Sequence, residues 1–177
     1  TLVFPRSSQD ERRHTPCGDE LAQKALEAFH VPGMAIAVVK DDEVVHAKGY
    51  GIRDINTKTP VTRDTLFQIA SNTKSITAAA LAILMDEGKL TWDDKVIDYL
   101  PEFRLVDPYA TREFTIRDML THRSGLPLGA GDLLFWPDNA GDLQSVFKAL
   151  SIIPPETSFR SEYAYDNLLY ILAGEIV

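Results

Sequence analysis

A chain of 177 residues, 45% of them hydrophobic and 25% charged, has the size and composition of one ordinary globular domain, and disorder is not indicated. Its net charge of -8 and the absence of a basic run exclude nucleic acid as an expected partner. The longest strongly apolar run, Ile76 to Met85, is about half of the ~20 residues that span a bilayer, so no membrane span is expected. Cys17 is the single cysteine, which rules out an internal disulfide, and His14, His30, His46 and His122 lack the close spacing of a zinc site; no metal and no cofactor are expected.

Residues 1–18 mix Pro5, Ser7, Ser8 and Pro16 with the charged run Asp10 to Arg13 and read as an N-terminal arm. From Asp19 to His30, Leu21, Ala25, Leu26 and Phe29 recur at helical spacing, and Val31-Pro32-Gly33 ends the helix. A hairpin follows: Met34 to Val39 as a buried strand, Lys40 to Glu43 as a polar turn, and Val44 to Lys48 as the return strand. Gly49-Tyr50-Gly51 closes a hairpin and opens no helix, so it is not a dinucleotide-binding fingerprint, and His46 reads as a strand side chain. Asp54 to Thr65, polar and carrying Pro60, is a connection.

The chemistry concentrates in Ile69-Ala70-Ser71-Asn72-Thr73-Lys74-Ser75. Ser71 and Lys74 lie three residues apart at the start of a helix that runs to Met85 and is closed by Gly88; its apolar Ile76, Ala80, Ile83 and Leu84 predict a mostly buried element. Residues at i and i+3 share a helix face, which brings an ammonium within reach of a hydroxyl. A serine becomes a nucleophile when a neighbour takes its proton, and the free N–H groups at a helix start favour negative charge on an acyl oxygen. Ser71 is therefore the candidate nucleophile and Lys74 its activating partner.

Beyond Gly88, Thr91 with Asp94 reads as a capping box opening a short helix that ends before Pro101, and Thr115 with Asp118 repeats the device. The second helix ends in Leu120-Thr121-His122-Arg123-Ser124-Gly125-Leu126-Pro127. Residues 128–142 form a glycine-punctuated loop with Leu133, Leu134, Phe135 and Trp136, either a lid over a pocket or a loop pinned to the core. Phe135 and Trp136 are candidates for the substrate entrance. Asp142 caps a helix with Leu143, Val146, Phe147 and Leu150 on one face, stopped by Pro154-Pro155; Tyr165-Asp166-Asn167 then precedes a helical pattern from Leu168 to Ile176.

Ser71-Asn72-Thr73-Lys74, Leu120 to Leu126 and Tyr165-Asp166-Asn167 together resemble, in order and separation, the S-x-x-K, L-T-H-x-S-G-L and Y-x-N motifs of the superfamily of class C β-lactamases, penicillin-binding proteins and related esterases. The resemblance implies an α/β (α+β), β-lactamase/transpeptidase-like fold, with an antiparallel sheet flanked by helices beside a mostly helical region. Residues 19–177 are then an incomplete domain, with 19–60 in the α/β part and 61–177 in the helical part that holds the motifs. It also implies that Tyr165 relays protons and that Asn167 binds Lys74 or a substrate amide. Two departures stand out. A Lys or His followed one residue later by Gly on a C-terminal strand has no counterpart after Tyr165, and residues 156–162 replace the usual tight proline-glycine turn. The chain is thus expected to be the first half of a longer domain, inactive alone, whose remaining part is its partner. The expected activity is that of a serine hydrolase acting on small-molecule esters, amides or peptides. The alternatives are a true β-lactamase or D-alanyl-D-alanine carboxypeptidase, and a non-catalytic penicillin-binding or sensor protein. A secreted or periplasmic location is favoured over the cytoplasm.

Overall fold

The computed structural model describes residues 16–135 and 141–177, and the chain divides into two compact units, Thr1–Gln68 and Ile69–Val177. In the first, helix α1 (Pro16–Phe29) precedes an antiparallel pair, β1 (Gly33–Lys40) and β2 (Glu43–Gly51). Helix α1 starts three residues before the expected boundary, at a proline whose missing N–H costs nothing at the first helical position. Its inward face also differs from the expected one. Ala22 and Leu26 pack with Tyr50, while Leu21 and Phe29 are 65% and 76% exposed. The stripe through residues 22 and 26 runs back to Asp19, a polar side chain that hydrophobic periodicity passes over. Its carboxylate accepts from Lys48 Nζ and from Tyr50 Oη, each at 2.7 Å. Burial first, and then the bond to Asp19, push the Tyr50 phenol up to about 12.

The hairpin register runs from Gly33 opposite Gly51 to Lys40 opposite Glu43, with an irregularity between Val38 and Val39. Asp41 and Asp42 form the tip, both at positive φ (52° and 61°), the mirror-image turn whose twist suits a two-residue hairpin. The expected buried strand is in fact half exposed: Ala35, Ala37, Val38 and Val39 are open to solvent in this two-stranded sheet. The glycines around Tyr50 serve close backbone approach rather than a ligand, since a side chain at Gly49 would strike the Val61 backbone and one at Gly51 (φ 69°) the Pro32 carbonyl.

The second unit is helical: α2 (Thr73–Asp86), α3 (Val96–Tyr99), α4 (Pro108–Glu113), α5 (Ile116–Thr121), α6 (Leu143–Ile152) and α7 (Leu168–Ile176). Its centre is α7, where Leu168, Leu169, Leu172 and Ala173 are fully buried among Leu81 of α2, Ile116 and Met119 of α5, and Val146 and Leu150 of α6. Each such leucine contributes roughly 1.5–3 kcal/mol of burial. Helix α2 departs from expectation: only Leu81 is buried, while Ile76 and Ile83 are exposed. Thr91 does donate its backbone N–H and its hydroxyl to the Asp94 carboxylate (2.8 and 2.6 Å), but the pair closes a turn. The helix waits until Val96 because Lys95 is held extended, bridged to Thr115. The Thr115–Asp118 box is present in full at the start of α5, and Asp142 Oδ1 accepts from Ser145 N–H at 2.8 Å at the start of α6. Helix α4 was not foreseen, although Asp107-Pro108 is a start signal: Asp107 Oδ1 accepts from Tyr109 N–H, with proline at the first helical position.

Candidate active site

Ser71 sits in a single 3-10 turn, Ala70–Asn72, that leads directly into α2. Ala70, the residue before it, has φ 44°, a left-handed conformation that costs a non-glycine residue roughly 1–3 kcal/mol. The turn is held by the Asn72 backbone N–H and side-chain amide, both donating to the Ile69 carbonyl (3.1 and 3.0 Å). One turn on, Lys74 Nζ lies 3.4 Å from Ser71 Oγ, as i, i+3 geometry on a helix allows.

The packing of α2 on α7 does the rest. Residues 165–167 lead into α7, with Asn167 as its N-cap residue. Lys74 Nζ donates to Asn167 Oδ1 at 2.5 Å and stands over the rings of Tyr165 (4.7 Å) and Tyr170 (5.1 Å). Tyr165 Oη donates to Ser71 Oγ at 2.6 Å, across 94 residues of chain. The Lys74 ammonium first, then the Ser71 hydroxyl, draw the Tyr165 phenol below its ordinary value, because both stabilise the phenolate. Four side chains from two remote segments thus converge: a hydroxyl, a phenol it touches, an ammonium beside both, and an amide that holds the ammonium.

A family model described as Beta-lactamase matches residues 19–177. The chain belongs to the beta-lactamase family. It is 34% identical over 162 residues to "Unguisins hydrolase ungD" of Aspergillus violaceofuscus, covering 87% of this chain and 28% of that protein. Among solved structures it is similar to an octameric penicillin-binding protein homologue from Pyrococcus abyssi, with 29% identity and a TM-score of 0.71 over 92% of this chain and 38% of that one. It is also similar to a class C beta lactamase from Rhodobacter sphaeroides, with 26% identity and a TM-score of 0.70 over 92% of this chain and 43% of that one. The fold is β-lactamase/transpeptidase-like, and the family is one of serine hydrolases. The chain spans under a third of that fungal relative and under half of either structure.

Within this beta-lactamase-family chain, Phe135 is partly buried and packs against the helical core, which favours a pinned loop over a lid at that residue; Trp136 lies outside the described residues. From the same loop, Asp132 Oδ1 accepts from Asn167 Nδ2 at 2.9 Å. That bond fixes which end of the Asn167 amide faces Lys74, because the NH2 group is committed to Asp132 and the oxygen is left for the ammonium. No spacing along the chain marks Asp132, whose only sequence signal is an acidic residue in a glycine-rich loop. Asp166, between the two site residues, is fully buried, and its Oδ1 accepts from Leu169 N–H at 3.2 Å.

Proposed function

We propose that the protein is a serine hydrolase working through an acyl-enzyme, with Ser71 as nucleophile, Tyr165 as its proton acceptor, Lys74 as the cation that sustains the phenolate, and Asn167 holding Lys74. The observation that carries this reading is the 2.6 Å approach of Tyr165 Oη to Ser71 Oγ, with Lys74 beside both. In the first step, starting from the ionised Tyr165, Ser71 Oγ forms a bond to the substrate carbonyl carbon while its proton passes to the Tyr165 phenolate, and the carbonyl oxygen becomes an oxyanion. Collapse expels the leaving group, which takes the proton from Tyr165. A water then repeats the sequence on the acyl-serine, giving acid product and free Ser71. Lys74 stays cationic throughout, lowering the cost of phenolate on Tyr165 and of negative charge beside it.

The substrate class proposed is small esters, amides or peptides; the relative named as a hydrolase supports a hydrolytic reaction. The solved class C beta lactamase among the neighbours supports a β-lactamase as the second reading. Incubating the full-length protein with a serine-directed fluorophosphonate should label Ser71, and Ser71→Ala should abolish both labelling and turnover of nitrophenyl esters. Equal labelling of the Ser71→Ala variant overturns the assignment. Faster turnover of a chromogenic cephalosporin than of the esters selects the β-lactamase, and stable acylation with no turnover selects a sensor.

A further inference from the structure

One residue outside the four holds Tyr165 from several sides. His122 follows α5 as its C-cap, in the left-handed conformation (φ 56°) that histidine tolerates better than most residues. This conformation turns both its carbonyl and its ring toward residues 163–166. The carbonyl accepts from Ala164 N–H at 2.8 Å, and ring Nδ1 accepts from Asp166 N–H at 3.1 Å. Between those two anchored residues, the His122 ring stacks on the Tyr165 ring with centroids 4.5 Å apart and planes 28° from parallel. Tyr163 packs edge-on against the same imidazole at 5.5 Å and Tyr170 lies against it at 5.3 Å. The histidine is buried.

We propose that His122 is a positioning residue for Tyr165: by holding the peptide N–H groups on both sides of Tyr165 and stacking on its ring, it keeps the phenol oxygen on Ser71 Oγ. The proposal rests on the functional reading above, since it assumes that Tyr165 accepts the Ser71 proton. It also assigns a tautomer. An Nδ1 that accepts from a backbone N–H carries no proton, so the neutral ring bears its hydrogen on Nε2. Protonating Nδ1 would set two N–H groups against each other and break the link to Asp166. Burial first, and then the nearby Lys74 ammonium, hold the imidazole below its ordinary value, which favours that neutral form. The titratable groups facing this cluster are Lys74 from α2, Tyr170 from α7, and Tyr163, Tyr165 and Asp166 from the segment between them; Asp132 acts on Tyr165 from its loop, and Asp118 on α5 is engaged by Arg160.

A displaced phenol both loses the serine and leaves the ammonium that acidifies it, so two readouts should move together. On the full-length protein, His122→Ala is expected to lower kcat for a nitrophenyl ester by about 10- to 100-fold with KM little changed, as sub-ångström to ångström misplacement does. It should also move the alkaline-side rise of kcat/KM upward, toward the ordinary tyrosine value near 10. His122→Asn keeps an acceptor where Nδ1 was and tolerates the left-handed backbone, so it should recover much of the rate; His122→Phe keeps a stacking ring but no acceptor and should recover less. If the Ala variant does not fold, the Asn and Phe variants carry the comparison. Folded variants whose rate and pH profile match the parent overturn the proposal, as does a fall in Tm with the pH profile unmoved. Either result leaves Ser71 labelling intact, whereas failure of the hydrolase reading itself shows as labelling that survives Ser71→Ala.

Discussion

At the scale of single residues, the site is defined by how Lys74 divides its interactions. Its ammonium is fixed by Asn167 Oδ1, reaches toward Ser71 Oγ and lies over the Tyr165 ring, and the Tyr165 phenol is acidified as a result. A base must be unprotonated, so kcat/KM should rise with pH through the apparent value of the Tyr165–Lys74 pair, below the ordinary tyrosine value. Lys74→Met is expected to slow ester turnover by about 10²–10⁴-fold and to shift that rise upward. An unchanged pH profile in this variant would assign the acidification to some other group. Asp166 offers a second test, on stability. Burial raises its carboxyl to about 6 despite N–H bonds from Leu169 and Leu168, and its Oδ2 has no partner among the described residues. The folded value exceeds the unfolded one, so the stability associated with the protonated form is complete below about pH 4 and lost as pH rises through about 6. Two pH units correspond to ~3 kcal/mol. Asp166→Asn removes that ionisation but buries an unpartnered amide, so a gain of about 1–2 kcal/mol is expected at pH 8, with a flatter profile. Denaturant unfolding at pH 4.5 and 8 measures it; equal gains at both would refute the ionisation account.

At the scale of elements, α5 and the stretch from Glu156 to Glu162 belong together. Arg160, at φ 66°, sends Nε and a terminal nitrogen to the two oxygens of Asp118 (2.9 and 2.6 Å) and a further bond to the Glu113 carbonyl (3.0 Å). Its backbone N–H donates to the Arg123 carbonyl at 2.9 Å, and the Arg123 side chain donates to the Arg160 carbonyl. What reads in the sequence as a loose polar replacement for a tight turn is therefore tied to the capping carboxylate of α5. Burial pushes the Asp118 carboxyl up, but Arg160 and then Thr115 outweigh it, and the net value is below the ordinary one. The stability so gained is present above about pH 4 and is lost as pH falls through the lowered value. Arg160→Gln leaves a buried carboxylate without its cation. The arginine is 42% exposed on its side chain, so screening reduces the effect to about 1–3 kcal/mol near neutral pH. That difference should shrink in acid, and a pH-independent loss would mean that the guanidinium acts by packing alone.

At the scale of the whole molecule, the two units differ in how much they bury. The helical unit has a continuous core around α7, whereas the described residues of the first unit bury Ala22, Leu26, Tyr50 and Val61 with Met34 and Ile36 at the margin, and leave Val38, Val39 and Val44 exposed. A two-stranded sheet is marginal in water. Amide hydrogen exchange of these 177 residues should therefore run faster in residues 34–50 than in α5 and α7. Hairpin amides as protected as those of Leu169 and Leu172 would show that one helix suffices to stabilise the sheet. The sequence alone determined whatever depends on neighbours within one turn of chain: the i, i+3 pairing of Ser71 with Lys74, the Thr115–Asp118 box, the Asp142 cap and the hairpin with its acidic tip. Helical and strand periods set those distances before any packing occurs. Tertiary structure decided which apolar faces turn inward, exposing Leu21, Phe29, Ile76 and Ile83. It also placed Asp132 on Asn167, His122 beneath Tyr165 and Tyr165 on Ser71. Those contacts join residues 35 or more apart, beyond the reach of any helical or strand period: the packing of α7 on α2 and α5 brings Ser71 and His122 to Tyr165, and the loop carrying Asp132 is held to the same segment by the Gly129 N–H on the Tyr165 carbonyl.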